Sequence, residues 1–424
     1  MSDLHTSGFK DVTRIAPARE RLLSVAAPHD RTERVSLTNA DGRVLAESIA
    51  ARRAVPHYPR AAMDGYAVRA QDTFEAGERD PEILRRRDVE ERSVAPGEAC
   101  RVHTGSELPE GADSVVMIER VEEVGDDLEV FGALAEGANV APVGEDVAKD
   151  QDLFAAGHRL RPSDLGLLKS TGVNDLEVGE RPTVGVIPTG EELVQADPEP
   201  GEVIETNGLT VSGYVKRWGG RARYRNVVTD DREALRAALQ RDLTKDIVVT
   251  TGGSSVGERD LIPEVVEDLG EVLVHGVALR PGHPVALGVV EETPIVMLPG
   301  YPVACIVNAV QFLRPLLKHV GGLPLEEHPT REARLARKIE SEPGYATFAR
   351  VQVNGTDAEG EDAGTDRSDG EGNGDLPRAT PTRSSGSGVL SSVALADGWV
   401  TVPEEREGFA EGERVTVENW EYSA

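Results

Sequence analysis

The chain has 424 residues and a formal net charge of −29, with 75 Asp and Glu residues against 46 Lys and Arg residues. This length predicts two to four domains, and the acidic excess with only seven Lys residues is typical of a protein that stays soluble in concentrated salt. The absence of a basic stripe argues against nucleic acid as a partner. With no apolar run long enough for a membrane span and no signal peptide at the start, we predict a cytoplasmic protein.

The first part of the chain mixes helical and extended patterns. Residues 11–53 carry apolar residues at helical spacing and then short strands, and residues 148–180 contain a second helical stretch, SDLGLLKSTGV. We predict that these two segments form a linking domain. Residues 54–147 lie between them and are rich in β-branched residues and turns, which predicts a separate β-rich domain.

Residues 181–328 alternate strands with helices, which predicts an α/β domain with a mostly parallel sheet. The predicted strands are PTVGVIPTG, ARYRNVV, DIVVTTGG and PIVMLPG, and the predicted helices lie at 207–218, 231–243, 262–269 and 302–319. Residues 329–424 return to short strands and predict a small C-terminal β-barrel. An acidic insertion rich in Gly and Ser, at 354–387, is predicted to be disordered. The fold class is therefore α/β multidomain.

One segment of the α/β domain, DIVVTTGGSSVG at 246–257, runs a β-branched strand directly into paired glycines. Glycines let backbone N–H groups close on an oxyanion, and a following helix N-terminus adds positive dipole character. Two further Gly/Pro turns, LRPGHPVALG and MLPGYPVAC, adjoin strands, so we predict that three loops converge on one side of the sheet. The alternative for the first loop alone is a tight turn needed only for packing.

The motifs resemble those of the MoeA family, the molybdopterin molybdenumtransferases, and the E domain of gephyrin. The similar blocks follow the family order over nearly the whole chain: PRAAMDGYAV, RVHTGSELPEGADSVVMIE, EGANVAPVGEDV, VIPTGEELV, IETNG and the three loops. The resemblance implies a homodimer whose subunits contain a central three-layer, MogA-like α/β domain. It also implies that molybdate is inserted into adenylylated molybdopterin with release of AMP, that Mg²⁺ takes part, and that the adenylyltransferase of the same pathway is a further partner.

The resemblance places the substrate in a cleft between the α/β domain of one subunit and the β-rich domain of the other. The residues predicted to hold phosphate are Thr251, Gly252, Gly253, Ser255 and Gly257. Arg280 and His283 stand where the family commonly has two lysines, and are predicted to compensate anionic charge. A rigid turn is predicted to shape the floor of the cleft through Pro299, Gly300 and Pro302, with Tyr301 where the family often has Asn.

Four residues are predicted to take part in catalysis: Asp260, Asp246, Glu192 and Thr104. Asp260 and Asp246 are also the predicted Mg²⁺ ligands, because a hard cation takes carboxylate oxygens and bridges phosphates. For Asp260 the alternative is a favourable contact with the positive end of a helix. Glu192 matches the second acid of the family's TG-[DE]-E-L motif, and Thr104 is predicted to line the cleft from the partner subunit.

The sharpest departure from the family pattern lies in the first block. The family commonly has D-x-S-A-M-D-G where this chain has Pro59-Arg60-Ala61-Ala62-Met63-Asp64-Gly65, so one acid and one hydroxyl are absent. This leaves open a catalytically weak scaffold that binds molybdopterin. A molybdopterin adenylyltransferase is also open, although MDGYA and the C-terminal β domain argue against it. So is an enzyme that inserts tungstate, an oxyanion of nearly the same size as molybdate.

Overall fold

The computed structural model describes residues 12–87, 93–252, 261–355, 376–382 and 388–422. These residues fall into two compact units. The smaller unit contains residues 32–179, and the larger unit contains the residues up to Arg31 together with those from Glu180 onward. None of the described helices has the length and apolar character needed to cross a membrane.

The described helices are short and lie mostly in the larger unit. They are α1 (Ile15–Ser24), α2 (Pro162–Ser170), α3 (Asn207–Arg217), α4 (Arg232–Asp242), α5 (Leu261–Leu269), α6 (Pro302–Asn308), α7 (Arg314–Val320) and α8 (Ser391–Ala394). A π-helical turn at Ala309–Leu313 joins α6 to α7, so the single helix predicted at 302–319 is interrupted.

Helix α1 belongs to the larger unit rather than to the predicted linking domain. Its residues Ala18 and Leu22 are fully buried in the same core as Phe312 and Leu316, and Thr13 forms a β-bridge with Val277 just before the helix begins. The prediction of one linking domain for 11–53 and 148–180 is wrong for this segment, because the apolar face of α1 is buried against the α/β core. The later parts of both segments do share a core.

The smaller unit consists mainly of short strands. They are β1 (Thr32–Ser36), β2 (Ile49–Ala50), β3 (Arg60–Ala61), β4 (Gly65–Val68), β5 (Glu82–Arg87), β6 (Glu98–Val102), β7 (Ser114–Met117), β8 (Val121–Val124), β9 (Asp127–Val130), β10 (Val140–Ala141), β11 (Asp152–Phe154) and β12 (Asp175–Gly179). Six of them form a sheet in the order β7-β4-β6-β5-β9-β8, within the predicted β-rich region. The antiparallel pair β1–β12 and helix α2 bury a separate core around Leu45 and Leu168.

Asp164 at the start of α2 carries a buried charge that should make this unit sensitive to acid. Its carboxylate accepts hydrogen bonds from the Arg161 backbone N–H (2.9 Å) and guanidinium (3.0 Å), and lies 2.8 Å from His158 Nε2. Burial acts to raise the pKa of Asp164, but the hydrogen bonds from Arg161 and His158 outweigh it and hold the pKa far below the usual range. Because the folded-state pKa is lowered, the stabilisation is present above the unfolded-state pKa and is lost as the pH falls through the folded-state value.

We expect Asp164→Asn to destabilise the smaller unit by about 1–2 kcal/mol at pH 7, because Arg161 and His158 lose the charged acceptor at the start of α2. Hydrogen exchange of peptides from residues 32–179, measured by mass spectrometry in increasing urea, would give the difference in free energy of unfolding. The difference between the wild-type chain and the variant should shrink as the pH is lowered below 4, near the ordinary pKa of Asp. A difference that is constant with pH would contradict this assignment.

The described residues of the α/β part of the larger unit form nine strands: β13 (Thr183–Pro188), β14 (Leu193–Val194), β15 (Val203–Ile204), β16 (Arg221–Tyr224), β17 (Ile247–Thr251), β18 (Glu271–His275), β19 (Leu279–Arg280), β20 (Ala286–Val290) and β21 (Thr293–Leu298). Six form a sheet in the order β16-β13-β17-β21-β20-β18. The first three pairings are parallel and the last two are antiparallel, so the sheet is mostly parallel, as predicted.

Alternate residues of the central strand β17 enter two different cores. Val249 packs in a core with residues of α3 and α6, whereas Val248 packs with Leu235 of α4 and Val265 of α5. All five residues of β17 are buried, as the β-branched sequence Ile-Val-Val-Thr-Thr predicts for a strand that is covered on both sides. The buried strand ends at Thr251, so Gly252 lies at the carboxyl end of the sheet.

The C-terminal strands form a closed barrel of five strands. The strands of this region are β22 (Thr330–Leu335), β23 (Ile339–Glu340), β24 (Ala346–Asn354), β25 (Arg378–Pro381), β26 (Gly398–Val402), β27 (Gly408–Phe409) and β28 (Arg414–Glu418). The pairings β24–β25, β25–β22, β22–β28, β28–β26 and β26–β24 close the barrel. Strand β19 pairs with β24, and Trp399 and Trp420 share a core with the α/β sheet.

Strand β25 corrects the prediction that residues 354–387 are entirely disordered. Arg378–Pro381 pair with both β22 and β24, and the barrel is closed only with this strand in place. Ala379 and Pro381 are buried, which outweighs the polar composition on either side. Residues 356–375 and 383–387 of the predicted insertion lie outside the described residues.

Candidate functional site

A pocket of about 470 Å³ opens where three parallel strands end. Thr189 follows β13, Thr251 and Gly252 end β17, and Gly300 follows β21. The carboxyl ends of parallel strands are the usual ligand site of an α/β sheet. The pocket is lined by Thr189, Gly190, Glu192, Leu193, Val203, Ile204, Glu205, Thr206, Asn207, Asp230, Thr251, Gly252, Leu261, Gly300, Tyr301, Pro302 and Gly388.

Two helices of the described part of the chain begin at this pocket. Asn207 and Pro302 are the first residues of α3 and α6 and line the cavity, as does Leu261, the first described residue of α5. Unpaired backbone N–H groups and the helix dipole give each N-terminus a partial positive charge. These N–H groups suit an anionic group, but the described lining side chains include three carboxylates and no Lys or Arg, so an anion bound there needs a cation beside it.

Gly252 is where the loops of the pocket approach each other most closely. Its N–H donates to the Leu298 carbonyl at 3.1 Å, and the Thr189 N–H donates to the Thr251 carbonyl at 3.0 Å. Gly252 has φ +114°, and a Cβ atom there would lie 2.2 Å from the Thr189 carbonyl oxygen. Only glycine satisfies both the backbone angle and this close approach. A Cβ atom on Gly300 would in turn lie 3.4 Å from the Gly252 Cα atom.

Two threonine hydroxyls at the pocket lack a partner within the described part of the chain. The Oγ1 atoms of Thr189 and Thr251 are buried and form no hydrogen bond there, and both residues line the cavity. A buried hydroxyl without a partner is costly, of the order of 1–3 kcal/mol. Both hydroxyls therefore fit a site that receives a polar group.

Three carboxylates line the pocket, those of Glu192, Glu205 and Asp230, and Glu205 already accepts hydrogen bonds from the Gly208 N–H and the Tyr224 hydroxyl. Partial burial, followed by the negative charges of Glu192 and Glu191, raises the pKa of Asp230 above its ordinary value. Asp230 is not among the residues that the sequence motifs predict. The sequence feature that could have identified it is its position, two residues after Val228, where the predicted strand ARYRNVV ends. In the structure Val228 forms a β-bridge with Thr189.

Asp246, predicted as a catalytic residue and Mg²⁺ ligand, lies at the opposite end of β17 from the pocket. It precedes Ile247, and the six residues of extended chain from Asp246 to Gly252 separate the two by about 20 Å. Its carboxylate accepts hydrogen bonds from the Thr183 N–H (2.7 Å) and hydroxyl (2.8 Å), and from the Arg31 guanidinium (2.7 Å). The predicted position of Asp246 at the pocket is therefore wrong. Its carboxylate instead links the amino ends of β13 and β17 to Arg31 through hydrogen bonds.

Arg280 and His283 do not line the pocket, and strand β19, which contains Arg280, pairs with β24 of the C-terminal barrel. Arg280 pairs with Glu342 at 2.6 Å, and its guanidinium lies 4.5 Å from the centre of the Tyr345 ring. Burial, followed by the charge of Arg280, lowers the pKa of His283, which does not favour a cationic imidazole at neutral pH. The third loop at the pocket is instead the segment after β13, which carries Glu192.

The remaining predicted residues divide into three groups. Gly300 and Pro302 line the pocket, whereas Pro299 is buried behind them. Thr104 belongs to the other unit, where its N–H (2.7 Å) and hydroxyl (2.8 Å) donate to the Asp64 carboxylate. The remaining four lie outside the described residues: Gly253, Ser255, Gly257 and Asp260.

Comparison with known proteins agrees with the order of these parts along the chain. Residues 13–172 match the MoeA N-terminal region (domain I and II), residues 185–319 a probable molybdopterin binding domain, and residues 332–420 the MoeA C-terminal region (domain IV). A putative molybdopterin biosynthesis protein from Methanocaldococcus jannaschii is 36% identical over 409 residues, which cover 94% of each chain. The chain belongs to the MoeA family.

Other members of the MoeA family are similar over the same length. A molybdopterin molybdenumtransferase from Bacillus subtilis is 32% identical over 403 residues, covering 91% of this chain and 89% of that protein. The crystal structure of a MoeA protein from Pyrococcus horikoshii superposes with a TM-score of 0.78 at 33% identity, covering 97% of this chain and 99% of that one. The family resemblance inferred from the sequence motifs is thereby confirmed.

Proposed function

We propose that this chain is a molybdopterin molybdenumtransferase, which inserts molybdate into adenylylated molybdopterin and releases AMP. The observation that carries the proposal is the pocket at which three strand ends and the N-termini of α3 and α6 meet, in a chain similar to MoeA proteins over nearly its whole length. Such a pocket can hold a phosphoanhydride through backbone N–H groups, without a nucleophilic side chain.

In this proposal the phosphates bind at the end of β17. Thr251 and Gly252 supply the described part of that site, together with the unpartnered Thr189 hydroxyl. Gly253, Ser255 and Gly257 continue the phosphate loop by sequence prediction. Asp260 is proposed as a ligand of the cation beside the phosphates, and Gly300 and Pro302 shape the opposite wall. Catalysis then rests mainly on positioning and charge compensation.

The acids of the pocket fit a hard divalent cation such as Mg²⁺. Glu192 and Asp230 offer carboxylate oxygens, and the charge of Glu192 helps to raise the pKa of Asp230, so a cation between them would relieve repulsion. Within the described residues no group of three or more His, Cys, Asp or Glu side chains forms a complete ligand set. The remaining ligands would come from Asp260, water and the substrate phosphates. Bound there, Mg²⁺ would polarise the phosphoanhydride.

The raised pKa of Asp230 predicts how cation binding depends on pH. Protonation of Asp230 removes a negative ligand, so the affinity for Mg²⁺ should fall as the pH is lowered through a pKa above 3.8, the ordinary value for Asp. Titration calorimetry with Mg²⁺ at several pH values would measure this decrease. Asp230→Asn should bind Mg²⁺ more weakly and lose this part of the pH dependence, and an unchanged profile in that variant would contradict the assignment.

Several finer features belong to the same proposal. We propose a cytoplasmic homodimer in which Thr104 of one subunit faces the pocket of the other, and which receives its substrate from the adenylyltransferase of the same pathway. The net charge of −29 supports adaptation to concentrated salt. Arg280 forms an ion pair with Glu342. In this proposal Arg280 can bind an oxyanion only when the anion replaces Glu342 as its partner.

The test is transfer of the metal itself. The purified chain is incubated with adenylylated molybdopterin, Mg²⁺ and molybdate, and the molybdenum bound to the isolated cofactor is quantified. The proposal predicts molybdenum-loaded cofactor in amounts that exceed those without protein, and tungstate in place of molybdate measures selectivity. Substrate binding without metal transfer would favour the scaffold, and formation of adenylylated molybdopterin from molybdopterin and ATP would favour the adenylyltransferase.

A further inference from the structure

The pocket has an apolar rim above its polar floor. Three of its lining residues are large apolar or aromatic side chains with high exposure: Tyr301 (60% exposed), Val203 (55%) and Ile204 (44%). Single exposed apolar residues are common on protein surfaces, but several around one cavity mark a surface that binds a ligand. The buried residues beneath them are polar, since Thr189 and Thr251 line the same pocket and are each 1% exposed.

The backbone of Tyr301 is held firmly although its ring is exposed. Tyr301 precedes helix α6, and its carbonyl accepts a hydrogen bond from the Cys305 N–H at 2.8 Å. The Gly300 carbonyl before it accepts a hydrogen bond from the Asn207 side chain at 2.6 Å. Gly388 lies beside the ring, because a Cβ atom placed on it would lie 3.5 Å from the Tyr301 ring, an ordinary contact distance. The backbone that carries the Tyr301 ring is thus fixed at the pocket.

Val203 and Ile204 are fixed by the same segment that carries Glu192. The Val203 N–H donates to the Glu192 carbonyl at 2.8 Å, and strand β15 pairs with β14. The pocket therefore combines a floor suited to an anion with a rim suited to an apolar, flat group. A ligand that fits both is an anionic molecule with a planar aromatic ring.

We propose that Tyr301, with Val203 and Ile204, holds the fused heteroaromatic ring of the substrate while the phosphates occupy the floor. Pterin and adenine share this chemistry, and both occur in adenylylated molybdopterin, so the inference rests on the proposed function. Tyr301 then acts as a substrate-binding residue that sets the position and selectivity of the ring. Stacking on an aromatic side chain tolerates any such ring because each has a π-face.

The test compares ligands that differ only in the ring. AMP, a pterin monophosphate and ribose 5-phosphate are titrated into the wild-type chain, Tyr301→Ala and Tyr301→Phe in concentrated KCl with Mg²⁺. Tyr301→Ala should weaken at least one of the two ring ligands about tenfold and leave ribose 5-phosphate within twofold, whereas Tyr301→Phe should stay near the wild-type value. The ligand that is weakened identifies the ring. Tyr422→Ala is a control, because Tyr422 is 48% exposed but does not line this pocket.

Two outcomes would overturn the inference. One is an equal loss for ribose 5-phosphate and the ring ligands in Tyr301→Ala, and the other is that neither ring ligand binds the wild-type chain more tightly than ribose 5-phosphate. Molybdate-dependent AMP release by the wild-type chain would leave the proposed function standing in either case. Conversely, a ring-dependent loss in Tyr301→Ala without any metal transfer would support the ring site and contradict the transferase.

Discussion

Gly252→Ala is expected to lower molybdate-dependent AMP release by about a hundredfold, because small displacements of a binding loop have effects of this size. The new Cβ atom would lie 2.2 Å from the Thr189 carbonyl oxygen, and the backbone at φ +114° is one that alanine rarely adopts. The ends of β13 and β17 would have to separate, which moves the N–H groups that we propose bind phosphate. The release rate at saturating substrate is the measurement, with circular dichroism to confirm that the variant is folded.

A matched control separates this clash from backbone strain alone. Gly201 has φ +105°, close to that of Gly252, and no heavy atom lies within 4 Å of a Cβ atom placed there. Gly201→Ala should therefore cost some stability and keep an AMP release rate near that of the wild-type chain. If both variants lose activity to the same extent, strain rather than the approach to Thr189 explains the loss.

Glu192→Gln and Asp230→Asn are each expected to lower AMP release by about a hundredfold at fixed Mg²⁺, an effect typical of removing one group that stabilises charge in a transition state. Both carboxylates line the pocket, and the charge of Glu192 contributes to the raised pKa of Asp230. The loss should be partly recovered at high Mg²⁺ concentration, because the neutral amide weakens cation binding without filling the site. AMP release measured against Mg²⁺ concentration tests this.

Glu191→Gln is the control for the acidic pair. Glu191 has the same side chain and is adjacent in sequence to Glu192, but it is not among the lining residues of the pocket. Its charge contributes less than that of Glu192 to the pKa of Asp230, so we expect a change of less than threefold, in line with the weak influence of exposed charges. A loss in Glu191→Gln as large as in Glu192→Gln would show that net charge, rather than a cation site, governs the rate.

The parts of the fold that were predictable are those in which buried strands and amphipathic helices have distinct periodicities. Strands β17 and β21 are continuous β-branched or apolar runs that lead into glycine-containing turns, and both were predicted with the loops that follow them. The pocket at their carboxyl ends follows from the same pattern. Helices α3, α4 and α5 were also predicted, because their apolar residues recur at helical spacing.

The predictions that were wrong or incomplete concern distances and contacts between residues, which the sequence does not give directly. Asp246 and Gly252 are six residues apart and looked like one site, but an extended strand separates them by its full length. Asp230 was overlooked because its neighbours in the pocket, such as Glu192, lie on another strand end. Strand β25 was hidden by its polar surroundings, since only pairing with β22 and β24 defines it. The last two errors concern tertiary contacts rather than local structure.

The measurement that tests the central claim most directly is single-turnover AMP release from adenylylated molybdopterin, with the wild-type chain in excess, in concentrated KCl with Mg²⁺. The account predicts release that requires molybdate and proceeds with the wild-type chain but is slowed in Gly252→Ala. Tight binding of the substrate without release, or release at the same rate with and without molybdate, would contradict it.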